Sequence, residues 1–148
     1  MDRKSALHTG MAVLSSLTLA ASAVAGTLTV EVNNIAQEGE MHLAIYDDAD
    51  VFENDRGDKG GAAPGIITGV IEHVGTRSAT YSFELPDGVY AIGIFVDVNG
   101  NNRLDKNFLG IPKEQYGFSN DATGLFGPPS FTDASFTISG DRKLSINL

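Results

Sequence analysis

The chain has 148 residues, a formal charge of −9 and no cysteine. Its acidic balance argues against nucleic acid, whose phosphates must be neutralised by Lys and Arg, and against adhesion to anionic lipid. The lack of cysteine removes disulfides, thiolate metal sites and thiol nucleophiles together.

The N-terminus has the pattern of an export leader. Arg3 and Lys4 form a basic start, Met11 to Ala21 an apolar stretch, and Ala23-Val24-Ala25 a small-residue cleavage site. The uncharged stretch from Thr9 to Gly26 barely reaches the ~17–25 residues of a membrane span and is diluted by Ser, Thr and Gly. Residues 1–25 are therefore expected to be a cleaved signal peptide, and 26–148 a single domain, periplasmic or secreted. The leader carries Asp2, Arg3 and Lys4, so its loss makes the remainder one unit more acidic.

Leu28, Val30 and Val32 alternate with Thr29, Glu31 and Asn33, the pattern of a strand with one wet face. Met41, Leu43 and Ile45 repeat the pattern, and the two are expected to pair as a hairpin or meander across Asn33 to Gly39. Asp47 to Gly65 is polar and Gly-rich, with Val51 and Phe52 as its apolar anchors, and predicts a long surface loop. Its acids Asp47, Asp48 and Asp50 could hold a cation, but a solvated turn accounts for them as well. Ile66 to Val74 and the alternating Ala79, Tyr81, Phe83 and Leu85 predict two further strands, closed by a Pro86-Asp87-Gly88 turn. Val89 to Val96 is apolar on both parities, as a strand covered on both faces would be. Phe131 to Ile138 and Leu144 to Leu148 end the chain as strands around Gly140-Asp141. With no ten-residue segment of helical period, about seven short strands predict an all-β, antiparallel two-sheet sandwich, prealbumin-like or immunoglobulin-like.

The apolar run up to Val96 passes directly into DVNGNNRLDKN, residues 97–107. Counting Asp97 as the first position, oxygen-bearing side chains fall at Asp97, Asn99, Asn101 and Asp105, and Arg103 can offer its backbone carbonyl. This is the opening of a calcium loop, D-x-[DN]-x-[DN], in which alternate side chains of a curled segment turn inward. Asn102 replaces the usual Gly and Phe108 the bidentate carboxylate. Two carboxylates predict weak Ca²⁺ binding, of order 10⁻⁴–10⁻³ M, unless Asp121 or Glu114 folds back. The competing account is an Asn/Gly turn whose side chains satisfy their own backbone.

The segment FLGIPKEQYGFSN (108–120), with the preceding Asp-x-Asn-x-Asn-x-x-x-Asp and the following Gly127-Pro-Pro-Ser-Phe131, resembles an uncharacterised family of exported bacterial proteins, domain of unknown function 2141. The likeness extends to Met41 to Asp47, Phe83 to Tyr90 and Asp133 to Phe136. What it implies is export and a small prealbumin-like β-sandwich; it brings no activity, ligand or partner.

Pro112 and Pro128-Pro129 stiffen a long connection carrying Phe108, Ile111, Tyr116, Phe118, Leu125 and Phe126. These side chains are expected to hold the connection onto the sandwich; the alternative is that Tyr116, Phe118 and Phe126 form a shallow sugar- or peptide-binding surface. Lys113 and Glu114 are expected in solvent, with no role. His42 and His73 lack a serine elbow or carboxylate at a telling spacing and are expected on strand surfaces, so no catalytic residue is named. The function expected is a non-catalytic binding module for an extracytoplasmic ligand or protein, in which Ca²⁺ at 97–107 orders the presentation of 108–130. The alternative is a structural, envelope-associated sandwich with no metal site.

Overall fold

A computed structural model describes residues 24–148, so most of the expected leader lies outside the described residues. Among those described, no helix is long and apolar enough to cross a membrane. Eight strands occur in chain order: β1 (Ala25–Ile35), β2 (Gly39–Tyr46), β3 (Thr68–Val74), β4 (Arg77–Pro86), β5 (Gly88–Asp97), β6 (Tyr116–Phe118), β7 (Phe136–Ile138) and β8 (Arg142–Asn147). Two short α-helices, α1 (Ala49–Asn54) and α2 (Phe131–Ala134), and a 3-10 turn at Ser119–Asp121 are added. Phe131 to Ala134, expected as strand, is therefore helical: Ser130 accepts the Asp133 N–H and caps it. One sheet has the order β4-β1-β8 and the other β3-β2-β5-β6, with β7 also on β5.

The expected two-sheet β-sandwich is thus present, with one pairing of the other sense: β8 lies parallel to β1, Leu28 opposite Arg142 and Val32 opposite Ile146. Parallel neighbours need a long connection, and here the entire domain lies between them. The expected β1–β2 hairpin does not form. Both strands alternate, but each inward row faces the other across the core, so residues 36–38 arch between sheets instead of closing a ladder. Leu28, Val30 and Val32 of β1 meet Met41, Leu43 and Ile45 of β2 and Ile92, Ile94 and Val96 of β5 in one buried cluster.

Strand β5 is central, with β2 along one edge and β6 and β7 end to end along the other. Its even residues enter the core; its odd residues, Ala91, Gly93, Phe95 and Asp97, face outward. Helix α1 emerges from the segment read as a loop, because Asp48 accepts the Val51 N–H at 3.0 Å and so caps a turn that would otherwise leave its first donors unpaired. The Asp47–Asp50 group is therefore a helix start. Phe52 then packs with Tyr46, Ala91 and Ala134, edge-on to Tyr46, Phe118 and Phe131. The Tyr46 hydroxyl donates to Asp55 (2.8 Å), and Glu53 accepts the Phe131 N–H (2.8 Å), tying both helices over one half of the outer face.

Phe52 is 4 % exposed and central to this second apolar cluster. Phe52→Ala should cost about 3–5 kcal/mol, as aromatic truncations in packed sites do, read by chemical denaturation.

Candidate functional site

The register orders the outer face of the larger sheet into rows. His73, Glu40 and Asp97 lie opposite one another on β3, β2 and β5. Next come Ile71, His42, Phe95 and Tyr116, then Gly69, Ala44, Gly93 and Phe118. Directly opposite residues of antiparallel strands share a face, so the rows give a polar end, an aromatic band and a low floor of small residues. At Gly69 the absence of a side chain is required, because a Cβ would sit 2.2 Å from the Leu43 carbonyl oxygen.

Loops wall this face into a groove of about 900 Å³. On one side the 55–61 and 102–106 segments are stitched together: Leu104 N–H donates to Gly57 O at 2.7 Å, Gly61 N–H to Asn102 O at 3.2 Å, and Lys106 lies 3.6 Å from Asp58. Leu109, Ile111 and Tyr116 line it, as do Leu125 and Phe126, whose neighbour Gly127 lies beside Arg56. The expectation that the aromatic connection packs onto the sandwich is overturned for most of its side chains. Phe108 (96 %) and Leu125 (93 %) are almost entirely in solvent, Phe126 is fully exposed, and Ile111 and Tyr116 are exposed as well. Phe118 alone of that set packs inward, against Phe52. Residues 104–115 are held by polar bonds instead, so Phe108, Leu109 and Ile111 are not needed as filling. Tyr116, Phe118 and Phe126 do share one surface, the groove.

At the polar end, Asp97 is 1 % exposed. Its Oδ1 accepts the N–H groups of Gly100 (2.8 Å) and Asn101 (3.3 Å), and its Oδ2 that of Asn102 (2.6 Å). Asn102 takes a φ of 59°, within Asn's tolerance for the left-handed region, and Gly100 one of 73°. The Asn99 Oδ1 accepts from Asn101 N–H and the Asn101 Oδ1 from Arg103 N–H. Both amide NH₂ groups donate to Asp105, from Asn99 at 2.6 Å and from Asn101 at 3.0 and 3.1 Å. Those bonds, Asn101's first and then Asn99's, hold the Asp105 carboxyl below its ordinary range. Asn99, Asn101 and Asp105 converge, while Asp97 grips the Asn101 backbone from the other side.

Glu114 does fold back, and the expectation that it stands idle in solvent is wrong. It is half-buried, its Oε1 accepts Val98 N–H (2.9 Å) and its Oε2 Asp105 N–H (3.0 Å), so one carboxylate staples both ends of the loop. Asp121 instead accepts two bonds from Asn147. His42, expected on a surface, is 8 % exposed, stacked on Phe95 with ring centroids 4.5 Å apart and planes 12° off parallel. Its Nε2 is buried without a hydrogen-bond partner, 3.9 Å from Asp97 Oδ2. Burial lowers its pKa, against the carboxylates of Asp97, Glu40 and Glu114. Among the described residues, Glu40, His42 and Asp97 are the group whose ligand atoms all lie within 4.8 Å of one another. The outward parity of Glu40 and His42 is readable in the sequence; their register with Asp97 is not.

The architecture is that of a two-sheet β domain with a walled groove on one outer face and a carboxylate-bound loop at its end. The chain belongs to DUF2141, a family described as uncharacterized protein conserved in bacteria, which matches residues 30–147. No curated protein and no solved structure matches it.

Glu114→Ala should loosen residues 98–105 without melting the core, seen as faster amide exchange confined to that loop. A second expectation concerns pH. A His whose folded pKa lies below its unfolded value of 6.5 favours folding fully above that pH and opposes it progressively below. The wild type should lose stability as the pH falls below the unfolded value of 6.5, and His42→Gln should lack that component.

Proposed function

We propose that the protein is an extracytoplasmic, non-catalytic binding module whose ligand surface is the groove on the outer face of the five-stranded sheet. One observation carries this: apolar side chains kept in water around a concave floor. Tyr116, Leu125 and Phe126 stand exposed with Leu109 and Ile111 over Ala44 and Gly93. Exposed apolar surface gathered in one place marks interaction sites, and a volume near 900 Å³ suits a small-molecule cleft. The ligand this lining fits has an extended apolar body, bound by removing that carbon surface from water at roughly 25 cal/mol per Å². Export rests on the leader pattern in residues 1–25.

Calcium at residues 97–107 belongs to the same proposal. The amides of Asn99 and Asn101 converge on Asp105, and a half-turn of each would present Oδ1 where Nδ2 now stands, giving two carbonyl oxygens beside a carboxylate. Those turns would break the bonds to Asn101 N–H and Arg103 N–H, which is why the affinity should be weak. The alternative, a structural protein with no metal, is favoured by one fact: the loop already satisfies its own donors through Asp97 and Glu114.

The test is titration with an apolar fluorescent probe. The wild type should bind saturably, and Phe126→Ser should weaken binding about tenfold or more with unchanged Tm, since Phe126 makes no buried contact to lose. Equal binding by both proteins, or none by either, would sink the groove reading. Separately, millimolar Ca²⁺ added after chelation should raise Tm by a few degrees, Mg²⁺ should not, and Asp97→Ala or Asp105→Ala should abolish the rise. No shift in the wild type returns the loop to a turn.

A further inference from the structure

We infer that Glu40, His42 and Asp97 bind a divalent ion of the Zn²⁺ class at the polar end of the groove, a site independent of the groove's apolar ligand. Three observations combine. The β2–β5 register sets Glu40 opposite Asp97, with His42 two residues along the same face, bringing one nitrogen and two carboxylates within 4.8 Å. The His42 Nε2 lies buried without a partner, and its ring is held in plane by the stack on Phe95. Asp97 Oδ2, at 3.9 Å, stands beyond hydrogen-bond reach, and its carboxylate is oriented by three backbone N–H groups.

A buried imidazole nitrogen without a partner is costly, and protein structures rarely keep one. An ion between His42 and Asp97 satisfies it. The donor set decides the class of ion: an imidazole with two carboxylates suits Zn²⁺ and its transition-metal neighbours, while Ca²⁺ and Mg²⁺ prefer oxygen alone. The dimensions fit after small movements. Zn–ligand bonds of about 2.0–2.1 Å imply ligand–ligand edges of about 3.4 Å, so the His42–Asp97 gap of 3.9 Å is nearly closed. Glu40, half-buried at the rim with a flexible stem, swings in to complete the set. The Asp97 N–H bonds and the Phe95 stack act as the outer partners that orient metal ligands. Three protein donors leave a fourth position for water, beside the groove that His42 also lines.

The experiment uses untagged, chelator-treated protein titrated with Zn²⁺ by calorimetry, with the His42 imidazole nitrogens followed by NMR. One Zn²⁺ per chain is expected, moving the Nε2 resonance and resisting millimolar Ca²⁺ or Mg²⁺. Glu40→Gln and His42→Gln should each weaken Zn²⁺ binding by tenfold or more. Glu40 is half-buried on the sheet surface, so its variant tests the site even if His42→Gln perturbs the fold. Asp105→Ala should leave Zn²⁺ binding intact while removing any Ca²⁺ response, which separates this site from the calcium loop. The inference is overturned if wild type binds no Zn²⁺ saturably, if both variants bind it as tightly, or if Nε2 does not respond. Failure of the apolar-probe titration would leave each of these readouts unchanged.

Discussion

A central strand must have both edges paired and its apolar inner row buried, and in this domain that strand is β5; the sequence suggested cover on both faces, and the structure gives it on one. Its edges are taken by β2 on one side and by β6 and β7 on the other, and its inner face is buried against the β1 sheet. Its outer face is covered only in part. Helices α1 and α2 seal Ala91 beneath Phe52, while Gly93 and Phe95 stay half-covered. What is left uncovered is the groove. Its walls are the connections between strands of this same sheet, β2 to β3, β5 to β6 and β6 to β7.

The end of β5 poses a different problem. Once the ladder stops after Asp97, the next backbone donors have no strand to pair with, and an unpaired N–H near the interior is expensive. Asp97 takes three of them, and Glu114 closes the loop from the far side. The acidic residues of this region are therefore occupied mainly with N–H groups, and a cation has to share them. That sharing sets the two proposed sites apart. At Asn99, Asn101 and Asp105 an ion competes with bonds already made, whereas at His42 it meets a nitrogen that has none.

The connections are held by polar bonds. The 55–61 and 102–106 segments bond to each other, and Gln115 joins the β1–β2 arch through Ala36 N–H and Asn34 O. With the backbone of 104–115 held this way, Phe108, Leu109 and Ile111 are free to remain in water. A loop that relied on those side chains for packing would have no apolar surface to offer a ligand.

Most strand positions, the inward row Tyr90 to Val96 and the all-β class follow from the sequence alone, because side-chain parity is a local property of the chain. Val89 is exposed and Phe131 to Ala134 is helical, against expectation. The family likeness was also legible, carried by residues 97–131 as contiguous motifs. The Asp/Asn ladder of 97–107 could be located but not interpreted, since the same residue types serve a cation or their own backbone equally well. Pairing was decided by the tertiary structure. Whether β1 joins β2 or β4 depends on which inward row completes the core, and β8 returns beside β1 from the other end of the domain. Glu114 looked idle because its partners, Val98 and Asp105, lie sixteen and nine residues away. The grouping of Glu40 and His42 with Asp97 depends on register across two strands more than fifty residues apart, and register is set by the packing of the whole sheet.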